Sequence, residues 1–102
     1  MWEVTCINED AVLAVVRYIE KQPLLLSWPK HWFDQRAYSR WAANEILGLM
    51  MDRPFESPVA VIEEFMIKMD YFSWVAKDSE AHRIFSIAAD TAEDLLELIK
   101  NI

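Results

Sequence analysis

Residues 57–80 read SPVAVIEEFMIKMDYFSWVAKDSE, and their reading decides the fold. Ser57 followed by Pro58 marks a helix start. A serine hydroxyl accepts from the backbone N–H groups that a first turn leaves open, and proline fits the first helical position. The spacing predicts a helix from Pro58 to about Ala76. Lys77 and Asp78 then form a tight turn. Ser79 caps a further helix, with Glu80 in its first turn, that runs to about Lys100. So short a connection favours two antiparallel neighbours.

Upstream, MDRPFESP (residues 51–58) breaks the chain. A helix with Asp34 as N-cap is expected before it, ending near Met51. An earlier helix is expected to begin after Asn8, with Glu9 and Asp10 in its first turn, where acids complement the helix dipole. Its apolar face is Ala11, Val12, Val15, Val16 and Ile19. It ends by Gln22, because the residue before Pro23 disfavours helix. The β-branched run AVLAVVRYI and residues 2–7 (WEVTCI) also suit a strand, but neither has a convincing partner strand nearby. The expected fold is therefore all-α. It is one domain over residues 1–102, a small up-and-down bundle of four helices. An aromatic-rich segment, LLLSWPKHWF (residues 24–33), connects the first helix to the second, kept non-helical by Pro23 and Pro29. This segment either folds as an apolar lid over an open end of the core or presents Trp28 and Trp32 to a partner.

The totals agree with helices. One Gly and four Pro in 102 residues are too few turn-formers for most all-β domains. Net charge is −7 and uneven. Residues 1–51 carry six acids and five bases, whereas residues 52–102 carry eleven acids and five bases. Such a chain does not bind a phosphate backbone through bulk electrostatics, so direct nucleic-acid binding is disfavoured. A basic protein partner, or mimicry of nucleic acid, fits the charge. Cys6 is the single cysteine, and MWEVTCINED lacks the basic region and long apolar run of a signal peptide. No apolar run is long enough to span a bilayer. A reducing, cytoplasmic setting is expected.

The faces of the helices locate the candidate residues. In the last helix Ile84, Ala88, Thr91, Ala92, Leu95, Leu98 and Ile99 share one side, and Asp90, Glu93, Asp94 and Glu97 share the other. These four carboxylates form a candidate acidic surface. In the third helix Ile62, Phe65, Met66, Met69, Phe72 and Ala76 should face the core. A second row, Ile67, Tyr71 and Trp74, lies well round the helix. It must be buried beneath another segment or left for a partner. The second helix is apolar over most of its circumference, through Tyr38, Trp41, Ala42, Ile46, Leu47, Leu49 and Met50. It reads as a central helix with Trp41 buried. Glu45 falls inside its apolar sector and would be a buried carboxylate with a raised pKa. Gly48 costs a helix about 1 kcal/mol relative to Ala, which a close helix crossing would explain.

Signatures of catalysis are sparse. Neither His31 nor His82 has a second His or Cys at metal-ligand spacing. A chain with one Gly cannot build a Gly-rich phosphate loop. IEEFMIKMD and ADTAEDLLE resemble in part the all-α nucleotide pyrophosphohydrolases. These hold magnesium with Glu-Glu-x-x-Glu on one helix and Glu-x-x-Asp on another. Glu63 and Glu64 match the first motif, but Ile67 stands where its third acid would fall. Asp90 and Glu93 occur in inverted order and lie opposite the apolar stripe. No cofactor and no metal site are expected.

Three functions remain. The first is a small protein-interaction module (an adaptor, regulator or inhibitor), with homodimerisation open and Trp28, Trp32, Ile67, Tyr71 and Trp74 as contact residues. The second is an acidic decoy that occupies a nucleic-acid-binding protein. The third is a metal-dependent enzyme of the pyrophosphohydrolase type.

Overall fold

A computed structural model describes residues 2–22, 24 and 27–101, with side chains from Glu9 onward. It contains four helices: α1 (Trp2–Glu20), α2 (Lys30–Asp52), α3 (Pro58–Val75) and α4 (Ser79–Lys100). They pack as an all-α bundle, and no strand occurs among the described residues.

The α3–α4 hairpin forms where the opening stretch places it. The Ser57 hydroxyl accepts from the Ala60 N–H, and Pro58 opens α3. The cap of α4 is Asp78, whose Oδ1 accepts from the Ala81 N–H at 2.8 Å, so Ser79 is the first helical residue rather than the cap. Aspartate caps at least as well as serine and adds a negative charge at the positive end of the helix dipole. His82 Nδ1 lies 2.8 Å from the Ser73 carbonyl, tying the start of α4 to the end of α3.

The first two helices both begin earlier than expected. The backbone of WEVTCI is helical, so Asn8 lies inside α1 rather than at its start. An isolated strand would have left its N–H and C=O groups unpaired, and a helix satisfies them within the segment. α2 starts at Lys30 with Pro29 at the cap position and no side-chain cap. The Trp32 and Phe33 N–H groups both donate to the Pro29 carbonyl. Proline is compatible with a helix start because its absent N–H would be unbonded there anyway. Asp34 does not cap the helix and instead accepts from Lys30 Nζ at 2.7 Å, one turn away. Trp32 and Phe33 therefore belong to the helix, and Trp28 is left as the aromatic residue of the connection.

Packing follows the order α1, α2, α4, α3. The most extensive contact is α3 with α4, then α2 with α4, then α1 with α2. α4 touches all three other helices. One apolar core draws on every helix: Ala11 and Val15 of α1, Ile46 and Met50 of α2, Ile62, Phe65 and Met69 of α3, and Leu95 and Ile99 of α4. The small residues that α2 and α4 bury are the alanines Ala42, Ala43, Ala88 and Ala92.

This order explains three departures from the expected faces. α2 meets α1 and α4, and α3 more lightly, and leaves its remaining side open, so Trp41 is 41% exposed and Glu45 is also exposed. Glu45 is not a buried carboxylate. A Cβ added at Gly48 would meet nothing within 4 Å, so no helix crosses closely there. In α4 the buried arc is widened by having α3 on one side and α2 on the other. It runs from Thr91 to Leu96, and Leu98 falls outside it and is exposed.

Candidate functional site

The end of α1, the connection, the start of α2 and the middle of α4 enclose a cleft of about 590 Å³. It sits between α1 and α4 because both lie against α2 while touching each other only lightly. A hydroxyl chain crosses all three helices at its base. Tyr18 Oη lies 3.4 Å from Ser39 Oγ, and Ser39 Oγ lies 2.9 Å from Thr91 Oγ1. The Thr91 hydroxyl donates in turn to the Ile87 carbonyl. Thr91 is buried, and this chain satisfies its polar atom.

Trp28 and Trp32 both line the cleft, in different states. Trp28 is half-buried, with the Arg36 guanidinium carbon 5.6 Å from its ring centroid. Arg36 also donates to the Gln22 side-chain oxygen, which holds the guanidinium in place over the indole. Trp32 is 57% exposed and meets His31 edge-on. Leu24 is exposed, and the other two residues of the proposed apolar lid, Leu25 and Leu26, lie outside the described residues, as does Pro23.

The four acids of α4 do not form one undivided surface. All four are exposed, but Asp90 and Asp94 line the cleft, whereas Glu93 and Glu97 do not. Partial burial, followed by the neighbouring charges of Asp90 and Glu97, raises the Asp94 carboxyl above the usual aspartate range. None of the four makes an ion pair among the described residues. No three His, Cys, Asp or Glu side chains converge on a metal-sized site among the described residues. The side chain of Cys6 lies outside them.

The second row of α3 is open. Ile67 is 65% exposed, Tyr71 60% and Trp74 82%, with Val75 beside them. α3 lies at the edge of the bundle and buries only the arc that meets α4 and, more lightly, α2. Glu63 and Asp70 border the exposed row on one side. Glu64 borders it on the other, engaged by both terminal nitrogens of Arg53 at 2.8 and 3.4 Å. That pairing holds the Glu64 carboxyl below its ordinary range and ties the α2–α3 connection to α3.

A further apolar surface is not evident from helical spacing. Leu13, Met51 and Phe55 are exposed around a groove of about 650 Å³ that Val12, Met50 and Pro54 help to line. In sequence, MDRPFESP reads only as a break between helices. The available signal was Phe55 itself, a large apolar residue in a short connection. Trp28 and Trp32 (the cleft), Ile67, Tyr71 and Trp74 (the α3 row), and this groove lie on different parts of the bundle.

Compared with known proteins, the chain matches no family model, no curated protein and no solved structure.

Proposed function

We propose that this chain is a protein-interaction module whose contact face is the outer row of α3. The observation that carries the reading is the exposure of Ile67, Tyr71 and Trp74 in one contiguous line. Tryptophan and tyrosine are over-represented among residues that dominate binding energies, and a row of three exceeds the scattered apolar residues of an ordinary surface. The acids beside the row, Glu63 and Asp70, favour a partner with an apolar groove and a basic rim. Net charge of −7 opposes the pairing of two copies through this face. A single cysteine supports a cytoplasmic setting. No helix among the described residues is long and apolar enough to cross a membrane. The decoy reading draws less support, because Asp90 and Asp94 line the cleft and leave Glu93 and Glu97 outside it.

The test compares wild type with the double variant I67S/W74S. Both residues are exposed, so the variant should keep its helical spectrum and its melting temperature. Native-host proteins retained by wild type, released by raised salt and absent from the variant support the reading. Equal retention by both proteins refutes it. A dimer in light scattering that I67S/W74S dissolves would replace the heterologous partner with a second copy.

A further inference from the structure

The cleft between α1, α2 and α4 carries an assignment of its own, independent of the α3 face. We infer that it is a binding site for an organic cation, an ammonium or guanidinium on a short apolar stem, held between the Trp32 indole and the carboxylates of Asp90 and Asp94. Three features converge on that chemistry. The volume, about 590 Å³, falls in the range of small-molecule sites rather than of packing gaps. The walls are complementary to such a group: indole and Ile87 on the apolar side, two carboxylates on the polar side. Those carboxylates stand one helical turn apart, repel each other and have no cationic partner among the described residues. A bound cation would relieve that repulsion.

The structure already contains the recognition mode within one chain. Arg36 lays its guanidinium over the Trp28 ring, inside the same cleft. Gln22 engages that guanidinium, so the arginine is directed at the amide and the indole and makes no ion pair with Asp90 or Asp94. Among the described residues no cation covers the Trp32 ring, and more than half of its surface is open. An incoming cation can therefore repeat on Trp32 what Arg36 does on Trp28, with the α4 carboxylates as counter-ions. An anionic ligand meets two negative charges and one arginine that is already occupied.

The probes are n-butylamine, n-butylguanidine, end-capped tripeptides carrying a central lysine or arginine, and butyrate as the anionic control at matched ionic strength. The readout is the indole N–H signals in proton–nitrogen correlation spectra, assigned with W28F and W32F. The expected result is saturable displacement of the Trp32 signal by the cations and none by butyrate. Binding should weaken by at least about tenfold in D90N/D94N and fall with added salt. Both carboxylates are exposed enough for asparagine to leave the fold intact, which the unchanged spectrum of the remaining indoles will verify. A capped peptide binding more tightly than the free amines identifies the source as a partner's side chain, and the reverse order identifies a free small molecule. No saturable shift with any cation, equal shifts with butyrate, or unaltered affinity in D90N/D94N would overturn the assignment.

Discussion

Replacing Gly48 with alanine should stabilise this protein. Gly48 lies inside α2, about five turns from its start and about one turn before its end at Asp52, and its backbone φ is not positive. Nothing approaches within 4 Å of the place a Cβ would occupy. The substitution therefore adds no clash and needs no backbone adjustment. What remains is intrinsic helix propensity, where alanine exceeds glycine by about 0.8–1 kcal/mol. Part of that gain comes from the unfolded chain, which loses conformational freedom when glycine is replaced. For a domain of this size the gain corresponds to a rise in melting temperature of about 5 °C. It also corresponds to a rise in the urea midpoint of roughly half a molar, with the slope unchanged. Helical circular dichroism during thermal and urea unfolding measures both. An unchanged or lowered stability would refute the reasoning. It would mean that glycine is required at this position by something the isolated chain does not show, such as another molecule packed on the outer side of α2. Dependence of the effect on protein concentration would identify that cause.

Other perturbations probe other layers of the structure. Ile46→Ala removes a fully buried side chain and should cost about 2–5 kcal/mol in urea unfolding. Asp78→Ala deletes a well-formed cap and should cost about 1 kcal/mol, whereas Ser57→Ala should cost less, because its cap bond is 3.5 Å long against 2.8 Å. Paired denaturation curves should show that order, and equal losses would contradict it. Asp94→Asn should stabilise the protein at neutral pH. The native state raises the Asp94 carboxyl pKa, so it holds the proton more firmly than the unfolded chain does and is penalised once the group ionises. The penalty is absent below the ordinary aspartate range, about pH 4. The gap between wild type and variant in melting temperature should therefore close as pH falls through that range. A gap that widens on acidification would reverse the sign of the argument.

The helices were legible where local chemistry is strong. Ser57-Pro58 and the short span Ala76–Asp78 define α3, the turn and the start of α4 from sequence, within one residue. The start of α2 is not legible in the sequence, because Asp34 looks like a cap and Pro29 like a breaker, whereas proline at a helix start costs nothing. The first turns of α1 were ambiguous because WEVTCI has strand-like composition. Its lack of a pairing partner, which decides the matter, is a property of the whole chain and not of those six residues.

Faces were legible only as far as the order of helices is. Periodicity says which residues share a side, not how many neighbours that side will meet. The α3 row of Ile67, Tyr71 and Trp74 was separable from the core stripe on spacing alone, and it is exposed because α3 ends up at the edge. The same logic failed for α2. Trp41 and Glu45 share an apolar sector on the helical wheel, and a central helix was expected to bury it. α2 does meet all three other helices, but the sector holding those residues points away from them. For α4 the position between α2 and α3 decides that Leu96 is buried and Leu98 is not. The cleft depends on the same order. Trp32 and Asp94 are more than sixty positions apart in the chain. They share one cavity because α1 and α4 lean on α2 without closing on each other. Side chains from such distant positions become one site only through tertiary order. That is why the tryptophans were visible in the sequence as candidates while the carboxylates facing them were read as part of an outer surface.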